Sequence, residues 1–274
     1  MNHWSVFLDP LGGVLFKKVR TVFRLGLVAV LMAGPGLVFG EVIKCEGDYA
    51  KHLQGVCRDP DGNLFWSFTD QLVKTDAAGK AIRQVSVADH HGDLCYLDGK
   101  VYVAVNLGKF NDPGGNADSR VYVYDALTLE EVAVHPVPEV FHGAGGMDSR
   151  DGKFYIVGGL PAGVEENYVY EYDSDFNFVN KHILSSGWTH LGIQTAAWHD
   201  GSWWFGCYGK PAVLLKANAD LEFMGRFECN VSLGIAGMAK GAFLVAEGAR
   251  TESGRHRGVL RTAVSDPKAG IKRD

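Results

Sequence analysis

The sequence lacks the short motifs that mark several large classes of enzyme. It has no P-loop and no Gly-x-Gly-x-x-Gly segment after a strand, so nucleotide-dependent chemistry has no support. It also lacks a Gly-x-Ser-x-Gly elbow, the usual mark of an activated serine nucleophile. Only five cysteines are present, with no Cys-x-x-Cys pair and no Cys-His zinc spacing. We therefore expect most of them to be small buried side chains.

Long hydrophobic runs are also scarce. The apolar run at residues 25–33 is too short for a confident membrane span. It follows a basic flank at 17–24 and precedes a Gly-Pro-Gly break and a small-residue end at Gly40, which is typical of a secretory signal peptide. We predict that residues 1–40 are a leader and signal peptide, and that the processed protein is periplasmic or secreted, with no stable membrane span. A mis-assigned start or an uncleaved anchor is the alternative.

Positive charge is in short supply. The formal net charge is −5, and the first 40 residues contain four basic residues and one acidic residue, so the remainder carries −8. This balance disfavours nucleic acid as a partner. Residues 265–274 are locally basic, and we expect them to form a solvated C-terminal tail.

Glycine, by contrast, is abundant, with 35 residues, many of them in turns of a repeated segment. Each copy is a pair of predicted strands around a turn, usually Asp-Gly, and the copies recur about every 40–50 residues, the range of propeller blades. The five copies begin at His52, His91, His142, His190 and Ser232. Alternating apolar residues with β-branched and aromatic side chains support strands throughout.

The repeats predict an all-β fold. Four units each contain four predicted strands, whereas the last unit shows three, and residues 41–46 form an unassigned strand before the first unit. We predict a five-bladed β-propeller over residues 41–264, closed by this N-terminal strand, because closure removes two exposed sheet edges. In this respect the chain resembles the secreted β-propeller superfamily, without the marks of WD repeats. A six-bladed ring and tandem sandwiches are alternatives.

A histidine precedes the first strand in four units. If the loops leading into these strands share a face, His52, His91, His142 and His190 ring one mouth of a central channel. Neutral imidazoles suit a divalent metal such as Zn, Mn or Fe. The arrangement, without any shared motif, is similar to that of metal-bearing propellers such as plant-type glutaminyl cyclases. Alternatively, each histidine caps its strand and recurs through duplication.

The loops between second and third strands vary in length and are expected on the same face, where variable loops often carry function. The predicted ligand-binding side chains on or near this face are Asn106, Asn111, Asp112, Trp188, Gln194 and Tyr208. Residues 108–120 also offer oxygen ligands for Ca²⁺, a weaker candidate than the other metals. Glu165 and Glu247 are candidates for a general base, with simple solvation as the alternative.

Two functions remain open from the sequence. One is a metal-dependent lyase or hydrolase acting on a carbohydrate or small polar metabolite. The other is a non-catalytic propeller, lectin-like or a scaffold, that binds a small molecule, a carbohydrate or a protein. In both cases we expect a monomer with one asymmetric pocket, walled by loops 106–120, 158–167 and 208–211.

Overall fold

The computed structural model describes residues 5–8, 14–17, 42–239 and 241–273, in two separate units, residues 1–36 and 37–274. In the first unit, β1 (Ser5–Leu8) pairs antiparallel with β2 (Val14–Lys17). The predicted signal segment at 18–40 lies outside the described residues. The described part of the chain contains no helix that is long and apolar enough to cross a membrane.

The described residues of the second unit form an all-β fold of four antiparallel sheets. The first sheet contains β4 (Gly55–Arg58), β5 (Leu64–Ser67), β6 (Thr69–Thr75), β7 (Ala81–Leu97), β8 (Lys100–Asn106), β9 (Ser119–Asp125) and β10 (Glu131–Pro136). The second contains β11 (Ala144–Arg150), β12 (Lys153–Gly158), β13 (Asn167–Tyr172) and β14 (Phe178–Leu184). The third contains β15 (His190–His199), β16 (Ser202–Tyr208), β17 (Val213–Ala217) and β18 (Phe223–Glu228). The fourth contains β19 (Ile235–Gly237), β20 (Ala242–Arg250), β21 (His256–Asp266), β22 (Gly270–Arg273) and β3 (Val42–Lys44).

The long strand β7 joins two predicted repeats into one seven-stranded sheet. Residues 81–86 pair with β6, residues 94–97 pair with β8, and His91 pairs with both sides. The register shifts around His91, and His90 has a φ of 64°. Two separate strands were expected here. Instead one strand runs through the histidine pair, with His90 in the left-handed region and an irregular register on both sides of His91.

The two ends of the second unit meet on β21. Val42 pairs with Arg261 and Lys44 with Val259, so the predicted pairing of the N-terminal strand with the last repeat is confirmed. The same strand pairs with β22 further along. The prediction of a solvated C-terminal tail is therefore wrong for residues 270–273, because Ile271 is buried and joins a hydrophobic core.

The first strands of the repeats contact one another in a cycle. β4 contacts β7, β7 contacts β11, β11 contacts β15, β15 contacts β19, and β19 contacts β4. Glycines permit this approach: a Cβ on Gly92 would lie 2.3 Å from the carbonyl oxygen of Gly145, and one on Gly146 would lie 2.5 Å from that of Gln194. The first strands are therefore in close contact at these residues.

Hydrophobic cores fill the spaces between neighbouring sheets. Trp66 of the first sheet packs with Ile43 and Leu260 of the fourth. Trp203 of the third sheet packs with Tyr155 of the second. Both tryptophans are fully buried, and four of the five cysteines are also buried, as the sequence predicts. The predicted second strands therefore contribute large side chains to the cores between the sheets.

Candidate functional site

A cavity of about 890 Å³ lies at one end of the β15–β18 sheet. The segment before β15, the loop between β16 and β17, and the end of β18 meet there, because neighbouring strands run antiparallel. We call it the rim cavity; it is lined by Trp188, His190, residues 208–211, Val213 and residues 226–228. Three predicted site residues converge here: Trp188, His190 and Tyr208. Of the three loops predicted to wall the pocket, only 208–211 lines it.

Backbone contacts hold Trp188 at the edge of the rim cavity. Arg226 Nη1 donates to the carbonyl oxygens of Ser186 at 2.9 Å and of Trp188 at 3.0 Å. The Trp188 N–H donates to Glu165 Oε2 at 3.4 Å, and its ring centroid lies 6.0 Å from that of His190. The Trp188 side chain is nevertheless 38% exposed. The arrangement presents a flat apolar surface on an anchored backbone.

Polar groups with different charges surround this surface. The Tyr208 hydroxyl donates to Gln54 Oε1 at 3.3 Å, and burial raises the pKa of Tyr208 to about 12, so the hydroxyl stays neutral. Lys210 and Glu228 are exposed, and neither forms an ion pair with any residue that the structure describes. The cavity therefore offers a hydroxyl, an ammonium and a carboxylate beside an aromatic ring.

The four repeated histidines have different surroundings. His91 is wholly buried in β7, where its Nε2 lies 2.7 Å from the Tyr124 hydroxyl and burial lowers its pKa to about 4. A ring that is wholly buried beside Tyr124 is not exposed for ligand binding. Burial, and then the charges of His256 and Lys51, lower the pKa of His52.

The other two histidines have different local contacts. His142 Nδ1 lies 3.1 Å from the carbonyl oxygen of Asp112, whereas His190 lines the rim cavity. Across the part of the chain that is described, no group of three or more His, Cys, Asp or Glu side chains is placed to hold a metal ion. The geometry therefore gives the predicted Zn, Mn, Fe or Ca²⁺ site no support.

Loop 106–120 uses its polar side chains internally. Asn106 Oδ1 accepts from the N–H of Asp118 at 2.9 Å, and Asn111 Oδ1 accepts from the N–H of Leu160 at 2.7 Å. Asp112 accepts from the Asn116 side chain and from the Gly114 N–H. These three predicted ligand-binding residues thus shape the loop and dock it on the next repeat.

The remaining predicted residues are also engaged. Gln194 is buried and its Nε2 donates to the carbonyl oxygen of Leu191 at 2.6 Å. Glu247 accepts from Arg261 at 3.1 Å and from Arg273 at 2.6 Å, so it is not a free base. Glu165, through its contact with Trp188, is the predicted carboxylate beside the rim cavity.

The sequence reasoning missed two carboxylates where the first strands meet, of which Asp93 is buried and Asp148 is partly buried. Asp93 Oδ2 accepts from the Ala196 N–H at 3.0 Å, and Asp148 Oδ2 from the Trp198 N–H at 2.6 Å. Both N–H groups belong to β15, an edge strand of its sheet, so the carboxylates satisfy donors that would otherwise be buried without partners. The signal in the sequence was an aspartate inside each of two otherwise apolar or glycine-rich strands.

Burial raises the pKa of both carboxyl groups, that of Asp148 to about 7, against the lowering effect of backbone hydrogen bonds. Asp148 also lines a small cavity of about 190 Å³ together with Cys57, Cys95 and His199. His199 was expected at the surface but is only partly exposed there. The two carboxylates therefore supply hydrogen-bond acceptors for the edge strand β15.

We expect Asp148→Asn to change how stability depends on pH. The folded protein keeps a proton on Asp148 up to about pH 7, whereas the unfolded chain releases it near pH 4. Relative to the variant, the wild type should therefore lose up to about 4 kcal/mol of unfolding free energy as pH rises from about 4 to 7. Urea unfolding of both proteins at four pH values measures this.

The comparison with the variant is necessary because His91 has the opposite effect on the pH dependence of stability. Its lowered pKa contributes stability above about pH 6.5 that is lost as pH falls towards 4. This contribution is common to both proteins and cancels in the difference. If the difference in unfolding free energy between wild type and Asp148→Asn stays constant from pH 4.5 to 7.5, Asp148 does not titrate in this range.

The sequence matches no family model and no curated protein. Among solved structures, it is similar to a protein of unknown function from Bacteroides caccae, with a TM-score of 0.51 and 13% sequence identity. The match covers 86% of this chain and 94% of that one. At this identity the similarity is one of fold alone.

Proposed function

We propose that residues 42–273 form a five-bladed β-propeller that binds a small molecule or carbohydrate in the rim cavity without catalysing a reaction. The cycle of contacts among β4, β7, β11, β15 and β19 supports the ring. So does the pairing of β3 with β21, which joins the two ends of the unit. In this proposal the irregular part of β7 around His91 is the boundary between the first two blades.

The convergence of aromatic and charged side chains on one cavity carries the binding proposal. Trp188, Tyr208 and Phe227 meet Lys210 and Arg226 there. The volume of about 890 Å³ is within the range of small-ligand sites, which usually combine apolar walls with a few polar groups. Because the corresponding loops of the other repeats differ in sequence and length, we favour one site over five equal ones.

The side chains around the cavity support a binding function better than a catalytic one. Among the described residues, His190 makes no hydrogen bond that would orient it as a base, and Glu165 accepts from the Trp188 backbone. A catalytic pair needs a nucleophile or base held within hydrogen-bond reach of its partner. We further propose that the protein acts outside the cytoplasm, as the leader expected at residues 1–40 implies.

Trp188→Ala is expected to abolish ligand binding with little effect on the fold. In a thermal-shift screen of oligosaccharides and small carboxylic acids, a ligand at about 100 times its Kd should raise the wild-type Tm by about 5–10 °C. The variant should lose this shift, while its unliganded Tm stays within about 2 °C of the wild type, because the side chain is exposed.

Phe223→Ala is the matched control. Phe223 is similarly exposed, at 36%, but lies at the start of β18, away from the rim cavity. It should keep the full ligand-induced shift. A Trp188→Ala protein that retains the shift, or a screen in which no compound stabilises the wild type, would contradict the proposed function.

A further inference from the structure

We infer that the ligand of the rim cavity is an acidic sugar, with the ring stacked on Trp188 and the carboxylate bound by Lys210 and Arg226. This inference rests on the proposed function and names the class of ligand that the same site would take. It depends on three features of the cavity: unpaired positive charge, an anchored aromatic surface, and a nearby acceptor for hydroxyl groups.

Lys210 and Arg226 form no ion pair within the described part of the protein, although Glu228 lines the same cavity. Lys210 makes no ion pair with a described residue, and Arg226 uses only Nη1, for two backbone carbonyls. Its Nε and Nη2 keep three N–H donors for another partner. Five arginines elsewhere, among them Arg257 and Arg261, are paired with carboxylates. In a chain of formal net charge −5, two cations without carboxylate partners at one cavity favour an anionic ligand.

The cavity fits a carboxylate on a polyhydroxylated ring better than it fits a simple inorganic anion. A guanidinium binds a carboxylate with two parallel hydrogen bonds, and an ammonium adds a point charge. Glu228 lines the same cavity and would repel a simple anion such as phosphate, but it accepts hydrogen bonds from sugar hydroxyls. The neutral Tyr208 hydroxyl and His190 add further polar contacts.

The aromatic surface supplies the rest of the recognition. Trp188 presents its ring at the cavity edge while three backbone hydrogen-bond contacts hold residues 186–188 in place. A preorganised aromatic ring loses little conformational entropy when an apolar face stacks on it. An aromatic acid would also stack, but it would leave Glu228 facing a ligand that has no hydroxyl to donate.

The test compares matched probes on purified protein. We would titrate trimers of galacturonate and of galactose, with benzoate and inorganic phosphate as the alternative anions, by isothermal calorimetry and by intrinsic tryptophan fluorescence, with Trp188→Ala as the reference for the signal of Trp188. The acidic trimer is expected to bind at least about 10-fold more tightly than the neutral one. Raising the ionic strength should reduce this preference, because the charged groups are exposed.

Lys210→Gln should lower the affinity for the acidic trimer about 10-fold and leave the affinity for the neutral trimer unchanged. Lys80→Gln, which makes the same change of charge in the exposed turn between β6 and β7, is the control and should bind like the wild type. Arg226 is left intact, because its removal would also release the backbone of Trp188.

Each outcome decides the inference. Equal binding of both trimers, tighter binding of benzoate or phosphate, or an unchanged affinity in Lys210→Gln overturns the acidic-sugar class while the binding function stands. Absence of binding by the acidic trimer also overturns it. The proposed function fails as well only if no compound in the wider thermal-shift screen shows binding that depends on Trp188.

Discussion

Replacing Trp66 by alanine is expected to lower the free energy of unfolding by about 3–5 kcal/mol. The indole is 0% exposed and packs with Ile43, Leu244 and Leu260, so it lies in the core shared by the first and fourth sheets. Its Nε1 also donates to Thr75 Oγ1 at 3.1 Å, and truncation leaves this buried hydroxyl without that partner. Urea unfolding of wild type and variant measures the loss.

Trp188→Ala is the matched comparison for this experiment. The same side chain is removed, but from an exposed position, so the stability should change by no more than about 0.5 kcal/mol. A Trp66→Ala protein that loses less than about 1 kcal/mol would mean that the first and fourth sheets do not share the core described here. That result would also weaken the proposed ring.

A chain that begins at Asp48 is expected to unfold at least about 10 °C below one that begins at Glu41. The shorter chain lacks β3, and with it the pairing of residues 42–44 with β21. It also loses Ile43 and Cys45, which are 2% and 0% exposed in the same core as Trp66. The remaining edge of β21 would face water with unpaired backbone groups. Differential scanning calorimetry of both chains measures the change.

Two substitutions in β3 test the same prediction without shortening the chain. Ile43 faces the core, whereas Val42 is 40% exposed on the opposite face. Ile43→Thr should lower Tm by several degrees, while Val42→Thr should leave it within about 2 °C. Equal melting temperatures for the two chains, or equal effects of the two substitutions, would contradict a closing role for this strand.

Local sequence patterns were sufficient to predict the strands and the partner of β3. Alternation and Asp-Gly turns depend on residues close together in the chain, and these define the hairpins that the structure contains. Trp66 and Trp203 lie in short apolar runs that are buried on both faces of the sheet. The rim cavity was also partly predictable, since Trp188, His190 and Tyr208 belong to one repeat.

The same patterns predicted that loop 208–211, which contains Lys210, lies at the pocket, but they did not locate Arg226 and Phe227 there. Arg226 and Phe227 lie in an outer strand, where charged and aromatic side chains are common. Their importance comes from the antiparallel order of the β15–β18 sheet, which brings the start of β15 beside the loop after β16 and the end of β18. These segments are close in space because of the sheet topology, and the spacing of the residues along the chain does not indicate it.

The sequence by itself determined the all-β class, the repeat and the strand that joins the two ends, because these follow from local alternation and turn chemistry. Tertiary structure alone decided the roles of the repeated histidines and of the two aspartates where the first strands meet. Asp93 and Asp148 bond to backbone N–H groups 103 and 50 residues away, a relation that no local pattern contains. The equivalent histidines His91 and His190 differ in the same way, since His91 is buried beside Tyr124 and His190 lines the rim cavity.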